Sequence, residues 1–286
     1  MTSSFAISWK PESDYRKGRF GSLVFFSLAS GSSGNCIYLG TKQTSLLFDA
    51  GISAKKIEGY LLSNMIAPES LTGILLTHEH IDHIGGLPVF LKHNPTPLYG
   101  TAKTLAGVRK LRGGECIPDE LFHPIKPGEE IDFGDVRVTC CPIPHDAGDP
   151  VAFSVKAEGR KIGMATDLGM ITPEIVSHLS DSDLLYLESN YDRYMLLAGS
   201  YPYSLKRRIM SETGHLSNED SARLVSHVIS EKLRYIVLAH LSQENNMPDL
   251  ALITMQNELD GIWNYDSVKP KLIVAPRDCP MELLEM

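Results

Sequence analysis

The chain has 286 residues, 43 % hydrophobic and 22 % charged, with a formal net charge of −8. Those values suit a globular unit with a large core, and they exclude a protein that coats nucleic acid by bulk positive charge. Local basic patches and bound cations remain compatible with them.

The five cysteines (Cys36, Cys116, Cys140, Cys141, Cys279) are odd in number and form no C-x-x-C pair, so neither a disulfide framework nor a zinc finger is expected. A reducing, cytoplasmic setting follows. Residues 1–20 read as a polar extension with no apolar leader core, and no later run is long enough to span a membrane. Residues 21–286 show no linker or repeat and read as one domain.

In chain order, "SLVFFSLAS", "NCIYLG" and "TSLLFDAG" read as strands separated by Gly/Ser turns. The helical stretch "SAKKIEGYLLSNM" comes next, then the strand "GILLTH" and the helix "TAKTLAGVRKL". The strands "GDVRVTCCPI", "VAFSVKA", "KIGMATD", "DLLYLES" and "RYIVLAH" follow, with helices "TPEIVSHL" and "SNEDSARLVSHVISE" between them. Ser217 and Asp220 form a near-capping box at the start of the last helix. Strand runs interleaved with helices in two halves suit two sheets packed face to face with helices outside.

The densest chemistry is "ILLTHEHIDHIGG", which holds His78, His80, Asp82 and His83 just past an apolar strand. A strand end is both rigid and open to a loop. In an extended segment His78 and His80 point the same way, while Asp82 and His83 begin a turn toward a second point, so one segment can serve two metal ions. Imidazole and carboxylate donors without thiolate suit Zn²⁺ first, with Mn²⁺ or Fe²⁺ as alternatives.

H-x-H-x-D-H after an apolar strand resembles the signature of the metallo-β-lactamase fold superfamily. The resemblance implies an α+β fold, a four-layer αββα sandwich, and further site elements at strand ends. Asp49 in "LLFDAG", His145 in "PIPHDAGDP", Asp167 in "GMATDLG" and His240 in "YIVLAHLSQEN" stand where those elements should be. By that resemblance His78, His80 and His145 hold one metal and Asp82, His83 and His240 the other. Asp167 bridges both, and Asp49 orients a ligand histidine. The two divalent ions share a hydroxide as nucleophile, and Asp82 counts among the catalytic residues as well as the ligands.

Three stretches bear on the substrate. In "SETGHLSNEDS", His215 precedes a helix N-terminus at which Ser217 and Asn218 suit an anion; the alternative is a capping histidine. Glu188, ending "LLYLE", could orient His215 for protonating an alkoxide leaving group, or make a plain salt bridge. Lys206, Arg207 and Arg208 in "YPYSLKRRIMS" could track phosphates, with a base stacked on a nearby tyrosine, or form a solvated helix face. With two bound cations, that run is expected to make the mouth of the site positive on an acidic body.

"SLASGSSGNCIYLG", "ESNYDRYMLLAGSYPYSLKRRIMSETGHLSNEDSA" and "LIVAPRD" resemble the YycJ/WalJ subgroup of bacterial cytoplasmic metallo-hydrolases. The subgroup implies a metal-dependent phosphodiesterase acting on DNA, a 5′→3′ exonuclease. Ser32, Ser33 and Asn35 of the "SGSSGN" turn are further candidates for phosphate contact, or simply a hairpin turn. An RNA-processing nuclease, or a thioesterase or cyclic phosphodiesterase acting on small molecules, stays open on the same fold.

Overall fold

The computed structural model describes residues 22–262 and 269–286, so the polar extension expected over residues 1–20 lies outside the described residues. Six strands come first: β1 (Val24–Ala29), β2 (Cys36–Gly40), β3 (Ser45–Phe48), β4 (Gly73–Leu75), β5 (Leu98–Gly100) and β6 (Phe122–Pro124). Then follow β7 (Glu130–Asp132), β8 (Val136–Pro142), β9 (Val151–Ala157), β10 (Arg160–Ala165), β11 (Leu184–Glu188), β12 (Tyr235–Ala239), β13 (Lys271–Val274) and β14 (Leu284–Glu285). The helices are α1 (Ala54–Ser63), α2 (Ile81–Ile84), α3 (Leu87–His93), α4 (Ala102–Arg109), α5 (Pro173–Leu179), α6 (Arg193–Ala198), α7 (Tyr203–Ile209), α8 (Asn218–Val228) and α9 (Pro248–Ile262).

The described strands form two seven-stranded sheets, ordered β14-β1-β2-β3-β4-β5-β6 and β13-β12-β11-β10-β9-β8-β7. Each has an antiparallel part and a parallel part, the latter running from β3 to β6 in one and from β10 to β13 in the other. The inner strands alternate faces with the two-residue period of extended chain. Tyr186, Val237 and Ala239 turn into the core between the sheets, while Leu185, Leu187, Ile236 and Leu238 pack outward with α5, α8 and α9. The Phe48 and Phe153 rings meet 5.4 Å apart between the sheets. Ile57, Phe90 and Val108 of α1, α3 and α4 extend the core on the other outer side. The result is the expected four-layer αββα sandwich. Burial on both faces explains why β11 and β12 read as unbroken apolar runs.

Among the described residues no helix is long and apolar enough to cross a membrane.

Elements too short to show a period were not legible in the sequence. The three-residue β5 and β6, the helix α3 with Pro88 in its first turn, and the six-residue α6 appear only in the structure; α9 also appears only there, although its 15 residues span several turns. The Ser217 cap forms as expected, its Oγ accepting the Asp220 amide at 3.1 Å.

The loop after β3 and the histidine-rich loop after β4 approach backbone to backbone. Gly51 N donates to Asn35 O (2.8 Å), and Asn35 N donates to Asp82 O (2.7 Å). A Cβ on Gly51 would lie 1.7 Å from Asp82 O. Gly51→Ala is therefore expected to lower the stability of the metal-free protein by about 3 kcal/mol, the upper part of the overpacking range. A urea unfolding midpoint shifted by only a few tenths of a kcal/mol would show that the loops part freely.

Candidate metal centre

The candidate residues lie past the carboxyl ends of their strands, along one edge of the sandwich. Asp49 follows β3, His78 follows β4, His145 follows β8, Asp167 follows β10, Glu188 ends β11 and His240 follows β12. Asp49, Asp167 and His240 have φ of 59°, 57° and 54°. This left-handed backbone is uncommon outside glycine, and it turns each side chain sharply off its strand into the same space.

The structure brings all seven ligand candidates together. His78, His80 and His145 present ring nitrogens within 4.8 Å of one another, and Asp82, His83 and His240 form a second such group. His83 Nε2 and His240 Nε2 each lie 3.6 Å from Asp82 Oδ2. Asp167 stands between the groups, with Oδ2 3.2 Å from His83 Nε2 and Oδ1 3.7 Å from His145 Nε2.

Outer hydrogen bonds set which nitrogen each imidazole turns inward. His78 Nδ1 donates to Thr77 Oγ1 (3.0 Å), His83 Nδ1 to Asp49 Oδ2 (2.7 Å), His145 Nδ1 to Gly214 O (3.1 Å) and His240 Nδ1 to Glu188 Oε1 (2.9 Å). The four Nε2 atoms thus face the shared space, the arrangement outer partners impose on metal-binding histidines. His78 Nε2, His240 Nε2 and Asp167 Oδ2 are buried with no hydrogen-bond partner. Buried polar atoms are rarely left so, because each forfeits its hydration without compensation. The donor set and the orphaned atoms fit divalent cations.

Charge points the same way. Burial holds the His78 imidazole well below its ordinary range, with His83 adding to the effect, so it stays neutral and ligand-ready. Burial opposes charge on His240 too, but Asp167, Asp82 and Glu188 outweigh it and raise the group to about 10. His83 is raised well above its usual value against the same penalty, by Asp49 and Asp167. Asp167 is held well below the carboxylate range despite burial, by His240 and His83. In the metal-free chain, protons on His83 and His240 neutralise the carboxylates; bound cations would displace those protons.

Thr77 also belongs to this frame, its N and Oγ1 donating to Asp49 Oδ1 (2.9 Å) and Oδ2 (2.8 Å). Asp49→Asn tolerates the left-handed backbone but cannot accept every one of these bonds. It is expected to weaken metal affinity by about ten- to hundredfold, measured by competition with a chromophoric chelator. Unchanged affinity would remove Asp49 from the frame.

Beside the two groups, His215 Nδ1 donates to Glu188 Oε1 at 2.7 Å. Glu188 is fully buried and takes four bonds: His215 and His240 on Oε1, and the Leu168 and Leu216 amides, at 3.0 Å each, on Oε2. Burial alone would raise its carboxyl, yet His215 and His240 bring it down to about 2.

The space opens to solvent through a cavity of about 260 Å³, also lined by Ser32, Tyr201, Leu205, Arg208 and Ile209. Of the eight residues expected at the substrate, only Ser32 and Arg208 line it. Ser33 is exposed elsewhere on the turn. Asn35 turns inward, its Nδ2 3.1 Å from His83 Nε2. Lys206 Nζ donates to Leu197 O (2.8 Å) and Gly199 O (2.7 Å), and Arg207 points to solvent. Ser217 caps α8 and Asn218 is buried against Ser189, so that helix end is closed to an anion.

The expected positive mouth therefore does not come from the protein. Arg208 is paired with Asp146 (2.5 Å), and Asp82, Asp146 and Asp167 outnumber it in the lining. Any positive potential there depends on bound cations. Asp146 is a site residue the sequence reading passed over, although it directly follows His145.

Comparison with known proteins shows the family and the fold. Residues 44–240 match the family model of the β-lactamase superfamily domain. The exodeoxyribonuclease YycJ of Bacillus anthracis is 38 % identical over 238 residues, 83 % of this chain and 89 % of the relative. The exodeoxyribonuclease WalJ of Streptococcus pneumoniae is 37 % identical over 81 % of this chain and 86 % of its own length. Among solved structures, Zn²⁺-bound PqqB from Methylobacterium extorquens superposes with a TM-score of 0.69 at 14 % identity, over 91 % of this chain and 99 % of that one. The short form of human tRNase Z gives 0.62 at 17 %, over 91 % and 98 %. At such identities the structural matches speak to the fold alone.

Proposed function

Because the chain belongs to the β-lactamase superfamily, and within it to the family of the YycJ and WalJ relatives, we propose that it is a metal-dependent exonuclease that degrades DNA from the 5′ end. The observation that carries this reading is His215, an imidazole outside both ligand groups that faces the mouth while Glu188 holds its other nitrogen. Thioester hydrolysis expels a thiolate and has little need of such an acid; a phosphodiester expels an alkoxide and does.

We assign His78, His80 and His145 to one divalent ion, Asp82, His83 and His240 to the other, and Asp167 to both. Zn²⁺ suits these donors, with Mn²⁺ or Fe²⁺ as alternatives. When bound, such a pair supplies Lewis acidity and water activation. The chain's own residues do the rest. Glu188 fixes the ring of His215 and favours its protonated form against the cost of burial. His215 Nε2 then delivers a proton to the leaving oxygen. If 5′-phosphates are released, that oxygen is the 3′-oxygen. Asp82 is read here as a ligand that also helps place the reacting group. We read residues 21–286 as one hydrolase unit, supported by the core its two sheets share. A cytoplasmic location accords with five free cysteines.

The test is purified protein with Mn²⁺ or Zn²⁺ against end-labelled DNA, end-labelled RNA and a thioester. Stepwise shortening of DNA, stopped by a chelator, is expected. Thioester turnover without phosphodiester cleavage would overturn the reading; preference for RNA would redirect it.

A further inference from the structure

The basic run Lys206–Arg208 is split three ways by the packing of α7. Lys206 is stapled to the carbonyls of Leu197 and Gly199, and Arg208 is neutralised by Asp146. Arg207, also exposed, is the member of the run with no hydrogen bond or ion pair among the described residues. Tyr203 lies four residues earlier, on the same helical face as Arg207. Its ring is 75 % exposed and has no ring partner among the described residues.

This face is unusual for the molecule. Tyr194 and Tyr203, 80 % and 75 % exposed, are the two most exposed large apolar side chains described; Leu197, 58 % exposed, lies on α6 with Tyr194, and its carbonyl accepts from Lys206 of α7. Single exposed apolar residues are ordinary, but a cluster of them marks a contact surface. The opposite face of the same helix carries Leu205, Arg208 and Ile209, which wall the mouth of the metal centre. A helix with its side chains is about 10–12 Å across, so the exposed face is one short step from the mouth. The mouth itself offers a polyanion no unpaired side-chain cation, whereas Arg207 does.

We propose that the outer face of α7 is a strand track, on which a base of the nucleic-acid substrate stacks on Tyr203 while the adjoining phosphate rests on Arg207. The assignment rests on the nuclease reading above and adds to it the means by which a polymer is held. Aromatic stacking tolerates any base, as an enzyme that degrades a strand stepwise requires.

Steady-state kinetics of Tyr203→Ala, Tyr203→Trp and Arg207→Gln test it on a labelled oligonucleotide and on bis(p-nitrophenyl) phosphate. Tyr203→Ala is expected to raise KM for the oligonucleotide about tenfold more than for the small diester, and Tyr203→Trp to restore it. Arg207→Gln should reduce the salt slope of oligonucleotide binding by about one. An abasic nucleotide at the stacked position should cost the wild-type protein a similar factor, and Tyr203→Ala should then add little. Wild-type cleavage of DNA with indifferent Tyr203 and Arg207 variants, or with equal losses on both substrates, sinks the track alone, including the case in which a protein partner uses this face. Failure of the wild-type protein to cleave any oligonucleotide sinks the nuclease reading itself, and the track with it.

Discussion

Asp167→Asn is expected to lower DNA turnover by at least about 10³-fold and to reduce bound metal. Among the described residues Asp167 is the one carboxylate that faces both groups, through Oδ2 to His83 and Oδ1 to His145. Asparagine matches its shape and accepts a φ of 57°, so the fold should persist. It removes the negative charge, however, and turns an N–H₂ toward one of the groups. The Asp49→Asn variant, altered one bond farther out, should lose much less. Elemental analysis and single-turnover cleavage measure both effects, with circular dichroism to check folding. An Asp167→Asn protein that keeps two metals and near-normal turnover would dismantle the dinuclear assignment.

His215→Ala should reduce DNA cleavage by roughly 10²–10⁴-fold, the usual worth of a positioned acid. Its metal content should not change. A p-nitrophenyl diester should suffer far less, because its leaving group departs without a proton. Glu188→Gln should differ in kind. The same oxygen, Oε1, receives Nδ1 of both His215 and His240, at 2.7 Å and 2.9 Å. Losing the carboxylate therefore disturbs the acid and a ligand together, and metal content should fall along with turnover. Equal losses of His215→Ala on both substrates would show that the imidazole binds rather than protonates. Glu188→Gln with full metal content would separate it from His240.

The sandwich was legible because strands buried on both sides, such as "LLYLE" and "YIVLA", need continuous apolar runs, and helices packed on one side need the 3.6-residue period. Segments of three or four residues, such as β5 and α2, hold no full period and left no such trace. The metal donors were legible for a local reason. Each stands within three residues of the end of an apolar strand or in the H-x-H-x-D-H turn, so position along the chain already implies position at the sheet edge. The Glu188–His215 pair was legible as a possibility, since one ends β11 and the other precedes α8.

What the sequence by itself determined was thus the layered fold and the gathering of imidazoles and carboxylates at strand ends, because strand direction carries those residues to a common edge. Only the tertiary structure decided where the polar side chains of the flanking loops and short helices point. Lys206, Ser217 and Asn218 carry suitable chemistry, but they satisfy carbonyls, amides and buried partners of the protein itself. Their direction depends on how α7 and α8 dock, and a rotation of one residue on a short helix moves a side chain by about 100°, the angle implied by 3.6 residues per turn. No composition or spacing records that rotation.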